Sequence, residues 1–142
     1  MYRFHIAIHA RPVEAGDGDP REIDGRGVRP LNVTAGEVTD PLGVTFDEAV
    51  RRLEALPRFY LELDGSFLWT APQGPKGWQT EGVLYDGGER LHYVEMKGSC
   101  PAEQFNALLA SFGWPETPLA FQLMRQAVFL GEDAFREFAQ EG

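Results

Sequence analysis

One cysteine, Cys100, in 142 residues excludes an intramolecular disulfide and a cysteine-based metal cage. No apolar run approaches the ~20 residues that span a bilayer. The first run, MYRFHIAIHA, is short, alternating and interrupted by histidine, so it reads as a strand rather than a signal segment. No membrane partner follows from it, and a cytoplasmic location is the expectation. Basic runs are missing too. The chain carries 13 Lys and Arg against 22 Asp and Glu, a net charge of −9, and its longest basic pair is Arg51-Arg52. A field of that sign repels phosphate backbones and anionic lipids. Nucleic acid is therefore not expected as a partner, and a basic protein is the better complement. Internal repeats and low-complexity tracts are absent.

What remains is an ordinary globular balance, 43% hydrophobic and 25% charged, in a chain the length of one domain. Residues 2–9 alternate, with Phe4, Ile6 and Ile8 on one face and Arg3, His5 and Ala7 on the other. His5 and His9 share a strand face but lie roughly 13 Å apart along it, too far to share an ion, so no metal or cofactor is expected there. Residues 10–44 are rich in Gly, Pro, Asp and Glu and read as a loop segment with room for one short hairpin around Asp24–Gly27. Their acidic cluster departs from the calcium-loop pattern, because Arg21 stands where an oxygen ligand belongs.

Thr45-Phe-Asp-Glu48 is a capping box, and Phe46, Ala49, Val50, Leu53 and Leu56 follow at helical spacing until Pro57. Asp64-Gly65 between two apolar runs predicts a two-residue hairpin turn. In that register Tyr60, Phe67 and Trp69 share one face, an aromatic candidate for binding. Residues 70–77 read as a connecting loop. Two further strands, 78–85 and 90–97, flank Asp86-Gly-Gly-Glu89. A helix over 101–112 comes next, then 119–124, whose spacing fits a helix as well as a strand and which is read as a strand because the preceding helix then becomes a crossover, and a last helix over 132–140. The fold class is α+β: one domain over residues 1–142, a mainly antiparallel sheet of five to six strands built from two consecutive hairpins, two main helices and a short C-terminal helix.

Three sets of residues could carry chemistry. Glu81, Glu95 and Lys97 lie on the strands of the second hairpin. The pattern of an acid, a turn and Glu-x-Lys resembles the D…(D/E)xK signature of the restriction-endonuclease-like nucleases. That resemblance implies two carboxylates holding Mg²⁺ and a lysine acting on water or phosphate. Register decides it. With Gly87-Gly88 as a two-residue turn, Glu81 lies opposite Val94 and away from Glu95; a loop of three residues would set the acids opposite each other. The two-residue turn is the simpler reading, and it makes the hairpin a spine whose charges face different ways. Cys100 precedes a helix N-terminus, which lowers a thiol pKa; a small capping residue is the plainer alternative. Trp69, Trp78, Tyr85, Tyr93 and Trp114 crowd the strand and loop ends. The leading expectation is a small, soluble, acidic, non-enzymatic interaction protein; the alternatives are a metal-dependent hydrolase and a thiol enzyme.

Overall fold

The structure, a computed structural model, describes residues 1–141, the side chain of Pro75 excepted. In chain order it runs β1 (Tyr2–Ala10), β2 (Arg21–Ile23), β3 (Arg26–Val28), α1 (Phe46–Glu54), β4 (Phe59–Leu61), β5 (Ser66–Ala71), β6 (Gly74–Gly87), β7 (Arg90–Cys100), α2 (Ala102–Ser111), β8 (Leu119–Leu123), β9 (Val128–Leu130) and α3 (Glu132–Ala139). Seven strands form one sheet in the order β4-β5-β6-β7-β1-β8-β9, with β2 and β3 a separate hairpin. The α+β class with a mainly antiparallel sheet is as expected; the sheet is one to two strands larger.

The alternation of β1 explains its place. It pairs antiparallel with β7 on one side and β8 on the other, so Ile6 and Ile8 are wholly buried. Because β7 and β8 both run against β1, they run parallel to each other, and α2 is the crossover between them. The helices lie on the face of Phe4, Ile6 and Ile8. Tyr2 and Phe4 each meet the Phe105 ring of α2 at 5.3 Å, and Phe121 of β8 stacks on Phe135 of α3 at 4.6 Å. Thr45 caps α1 as its sequence predicts, its Oγ1 accepting the Glu48 N–H at 3.0 Å. Glu48 does not reach back to complete the box; its carboxylate takes Arg52 instead. Arg136 lies over the rings of Tyr2, Phe105 and Trp114. Beside it the ends of the chain meet: Tyr2 bridges Gln140, and Glu141 N donates to Met1 O at 2.9 Å.

Several boundaries differ from expectation. The run 70–77 is mostly strand, because β5 and β6 continue to a tight turn at Pro72-Gln73, where Ala71 pairs with Gly74. β7 runs on past Gly98 to Cys100, and Pro101 is the N-cap of α2 rather than its first helical residue. β9 was not anticipated. Residues 10–44 are tied to the main sheet at several points. Leu31 N donates to Phe129 O at 2.8 Å, and Leu42 N donates to Leu91 O at 2.9 Å. Leu31, Val38, Ala120 and Phe129 form a second small core, which covers the β8–β9 end of the sheet on the face away from the helices.

The first hairpin is slipped by one residue. Its loop spans four residues, Glu62–Gly65, not two. Asp64 Oδ1 accepts the Ser66 N–H at 2.9 Å and the Ser66 hydroxyl at 2.6 Å, an Asx turn rather than a two-residue hairpin turn. Phe59 therefore pairs with Trp69, Tyr60 with Leu68 and Leu61 with Phe67. Phe67 and Trp69 face the helices with Phe59, and only Tyr60 of the predicted trio faces the other way. Phe67 lies opposite Gly82 of β6. A Cβ on Gly82 would stand 2.6 Å from Phe67 Cζ and would collide with the Glu95 carbonyl oxygen. Gly82→Ala should lower stability by about 1–3 kcal/mol, the usual cost of overpacking, read as a drop in the urea midpoint at unchanged m-value.

Candidate functional site

The face of the sheet away from the helices is only half covered. The second core closes its β8–β9 end, and the stretch from β4 to β1 is left open. What lies there follows from the pairing of β6 with β7. The turn is Gly88-Glu89, closed by Gly87 and Arg90. The register then shifts: Asp86 pairs with Leu91 but Tyr85 pairs with Tyr93, so His92 is the extra residue of a β-bulge. From there Val83 pairs with Glu95 and Glu81 with Lys97.

This corrects the two-residue Gly87-Gly88 turn. Glu81, Glu95 and Lys97 share one face, Glu81 directly across from Lys97 and diagonal to Glu95. Diagonal neighbours on an antiparallel ladder stand about 7–8 Å apart. Without the bulge, the Gly88-Glu89 turn would pair Glu81 with Met96 and turn the acids apart. β1 adds His5, paired with Lys97, and its Nε2 lies 3.8 Å from Glu95 Oε1. Among the described residues, no group of three or more His, Cys, Asp or Glu side chains is arranged to hold a metal ion.

A trough of about 500 Å³ opens on this face. Its floor includes Leu68 and Val83, Tyr60 and Tyr85 stand along it, and Glu62, Glu81 and Glu95 supply three carboxylates against Lys97 and His5. Tyr60 is 61% exposed. Beside the trough runs a ladder of rings: Tyr85 stacks on Tyr93 at 4.5 Å, and Tyr93 on His9 at 5.1 Å. His9 Nε2 donates to Gln122 Oε1 at 3.1 Å. Burial holds this imidazole below its ordinary pKa, with His92 adding to the effect and the Gln122 bond opposing it. Burial, then the charges of Glu95 and Tyr93, push the Tyr85 phenol above its usual value.

Of the other aromatic candidates, Phe67, Trp69 and Trp78 are core and Trp114 is half-buried against it. Phe67 and Trp69 are 4% and 2% exposed; Trp69 Nε1 donates to Pro57 O at 2.7 Å, and Trp78 meets Trp69 edge-on. Trp114 Nε1 donates to Glu132 at 2.7 Å. The ring ladder and the inclusion of His5 and Glu62 were missed, although the two-residue spacing of Glu81, Val83 and Tyr85 and of Tyr93, Glu95 and Lys97 carries the signal once the bulge is known.

Cys100 is the last residue of β7, not the cap of α2, and its side chain is wholly buried. Desolvation raises its thiol from 9.0 to about 12, against a hydrogen bond with Thr80. This is the reverse of the lowering expected beside a helix N-terminus, because the strand turns the thiol into the core. Compared with known protein families, curated proteins and solved structures, the chain matches none.

Two outcomes follow for Cys100. In the folded protein near neutral pH it should resist a colorimetric disulfide reagent that labels it at once in denaturant. Its raised pKa means the folded state holds the thiol proton more tightly than the unfolded chain. That contribution is full below 9.0 and is lost as pH climbs toward about 12. Stability should fall across that window, and fall less steeply in Cys100→Ala.

Proposed function

We propose that the protein is a small non-enzymatic interaction module that presents the open half of its sheet to a basic protein partner. The observation that carries this is the composition of the trough: Glu62, Glu81 and Glu95 around Tyr60, Tyr85, Leu68 and Val83. A Lys or Arg side chain entering it lays its aliphatic stem on Leu68 and Val83. Its charge meets the faces of Tyr60 and Tyr85 and the carboxylates beyond them. The net charge of −9 draws cationic partners toward the surface and speeds encounter.

A labelled Arg- and Lys-rich peptide, followed by fluorescence anisotropy, tests the reading. Saturable binding that weakens with added salt is expected, with a loss of about tenfold or more in Glu81→Gln/Glu95→Gln and a further loss in Tyr60→Ala. A peptide that ignores the double substitution, or that binds equally well with its charges replaced, would remove it.

A second reading is favoured by the register that sets Glu81, Glu95 and Lys97 on one face: a metal-dependent hydrolase of phosphodiesters. Mg²⁺ is often bound by one or two carboxylates, with substrate oxygens completing its shell, and Lys97 would offset charge growing on phosphate. Duplex DNA and an activated phosphodiester, each with Mg²⁺ or Mn²⁺, are the substrates to use. Turnover lost in Glu95→Gln supports this reading; no turnover, or turnover that survives loss of both carboxylates, eliminates it.

A further inference from the structure

A second cavity lies where β8 stops short of the beginning of β1. β8 pairs with β1 only from Ile6 to Ala10. One more bond, Met124 N to His5 O at 3.1 Å, ends that pairing, and the next contact along this edge is the bridge between Tyr2 and Gln140. The interval is a slot of about 500 Å³, inside the roughly 300–1,000 Å³ typical of small-molecule sites.

Its walls are apolar and its mouth is basic. Half-buried Phe138 is the accessible apolar wall, with the buried Phe4, Leu123 and Phe135 behind it, while the exposed Arg3, Lys97 and Arg125 stand with Asp24 around the opening. Three cations against one carboxylate reverse the sign of the chain as a whole. Two of the charges are already occupied, since Arg3 pairs with Glu141 and Asp24 accepts the Gln126 amide at 2.7 Å. Among the described residues Lys97 and Arg125 have no ion-pair partner, and both are exposed. An apolar chamber with unpaired cations at its entrance is complementary to an apolar body ending in an anion. The two β-contacts that bound the slot limit its length, so it suits a small molecule rather than a peptide strand.

We propose that this slot binds a small amphiphilic carboxylate, its apolar body against Phe138 and its carboxylate between Lys97 and Arg125. Burial of the body supplies the nonspecific part of the affinity. The guanidinium and ammonium select for a carboxylate over an uncharged or cationic head. The slot shares His5 and Lys97 with the trough, but its apolar walls and Arg125 take no part there, so Arg125→Gln tests the slot alone.

Octanoate is the probe, with octanol and octylammonium as matched controls, titrated into the isotope-labelled protein and followed at the backbone amides of Leu123, Arg125 and Gln126. Saturable shifts with octanoate are expected, with octanol at least about tenfold weaker and octylammonium weaker still. Arg125→Gln, an exposed change that leaves the core intact, should cost octanoate about tenfold and leave octanol unchanged; Lys97→Gln should act in the same direction. The assignment is overturned if octanoate fails to saturate these amides, if octanol or octylammonium binds as tightly, or if Arg125→Gln binds octanoate as the parent does.

Discussion

The open face depends on one residue that has no partner across its ladder. His92 is the extra residue in β7, and its insertion moves every pair beyond it by one position. Side chains alternate along a strand, so a shift of one exchanges the faces completely. With the bulge, Val94, Met96 and Cys100 go beneath the helices while Tyr93, Glu95 and Lys97 go outward. The bulge is held from outside the hairpin. Leu42 N and Val44 O bond the two sides of Leu91, Phe46 N donates to Glu89 O, and Arg90 donates to Leu42 O at 3.0 Å. The loop before α1 thus clamps the turn, and through it sets which charges meet on the far strands.

The helices satisfy only one side of the sheet. On that side the stacked rings of Phe105, Phe121 and Phe135 join α2, β8 and α3 into one core. On the other side the chain builds a smaller cover from residues 31–38 and stops. Antiparallel sheets tolerate one wet face when its side chains are mixed in polarity, and the stretch from β4 to β1 has that mixture. Charge is also sorted along it. Carboxylates gather toward β4–β6, cations toward the edge of β1, and Lys97 stands between the two.

Much of the fold is written in short-range patterns. Alternation in 2–9 and in 119–123, the Thr45 cap and the apolar spacing of 46–56 each specify an element without help from distant residues. The register of both central hairpins is not local in this way. Asp64-Gly65 suggests a two-residue turn, but the Asp64 carboxylate is drawn to Ser66, and the loop takes in Glu62 and Leu63. That single slip moves Phe67 and Trp69 from a candidate binding surface into the core. Gly87-Gly88 misleads similarly, since the turn forms one residue later and the His92 bulge follows. The burial of Cys100 depends on how far β7 continues, which is decided by its pairing with Tyr2, a residue about two thirds of the chain away.

The Tyr2–Gln140 bridge and the Met1–Glu141 hydrogen bond make the described chain almost a closed ring. Its two ends leave the sheet side by side, under the Arg136 clamp. Joining them through a short linker and reopening the backbone at the exposed Leu63 turn would reorder the sequence while leaving each strand beside its present neighbours, the arrangement under which circular permutation is tolerated. In such a molecule β1 would be an interior segment of the chain as well as an interior strand of the sheet.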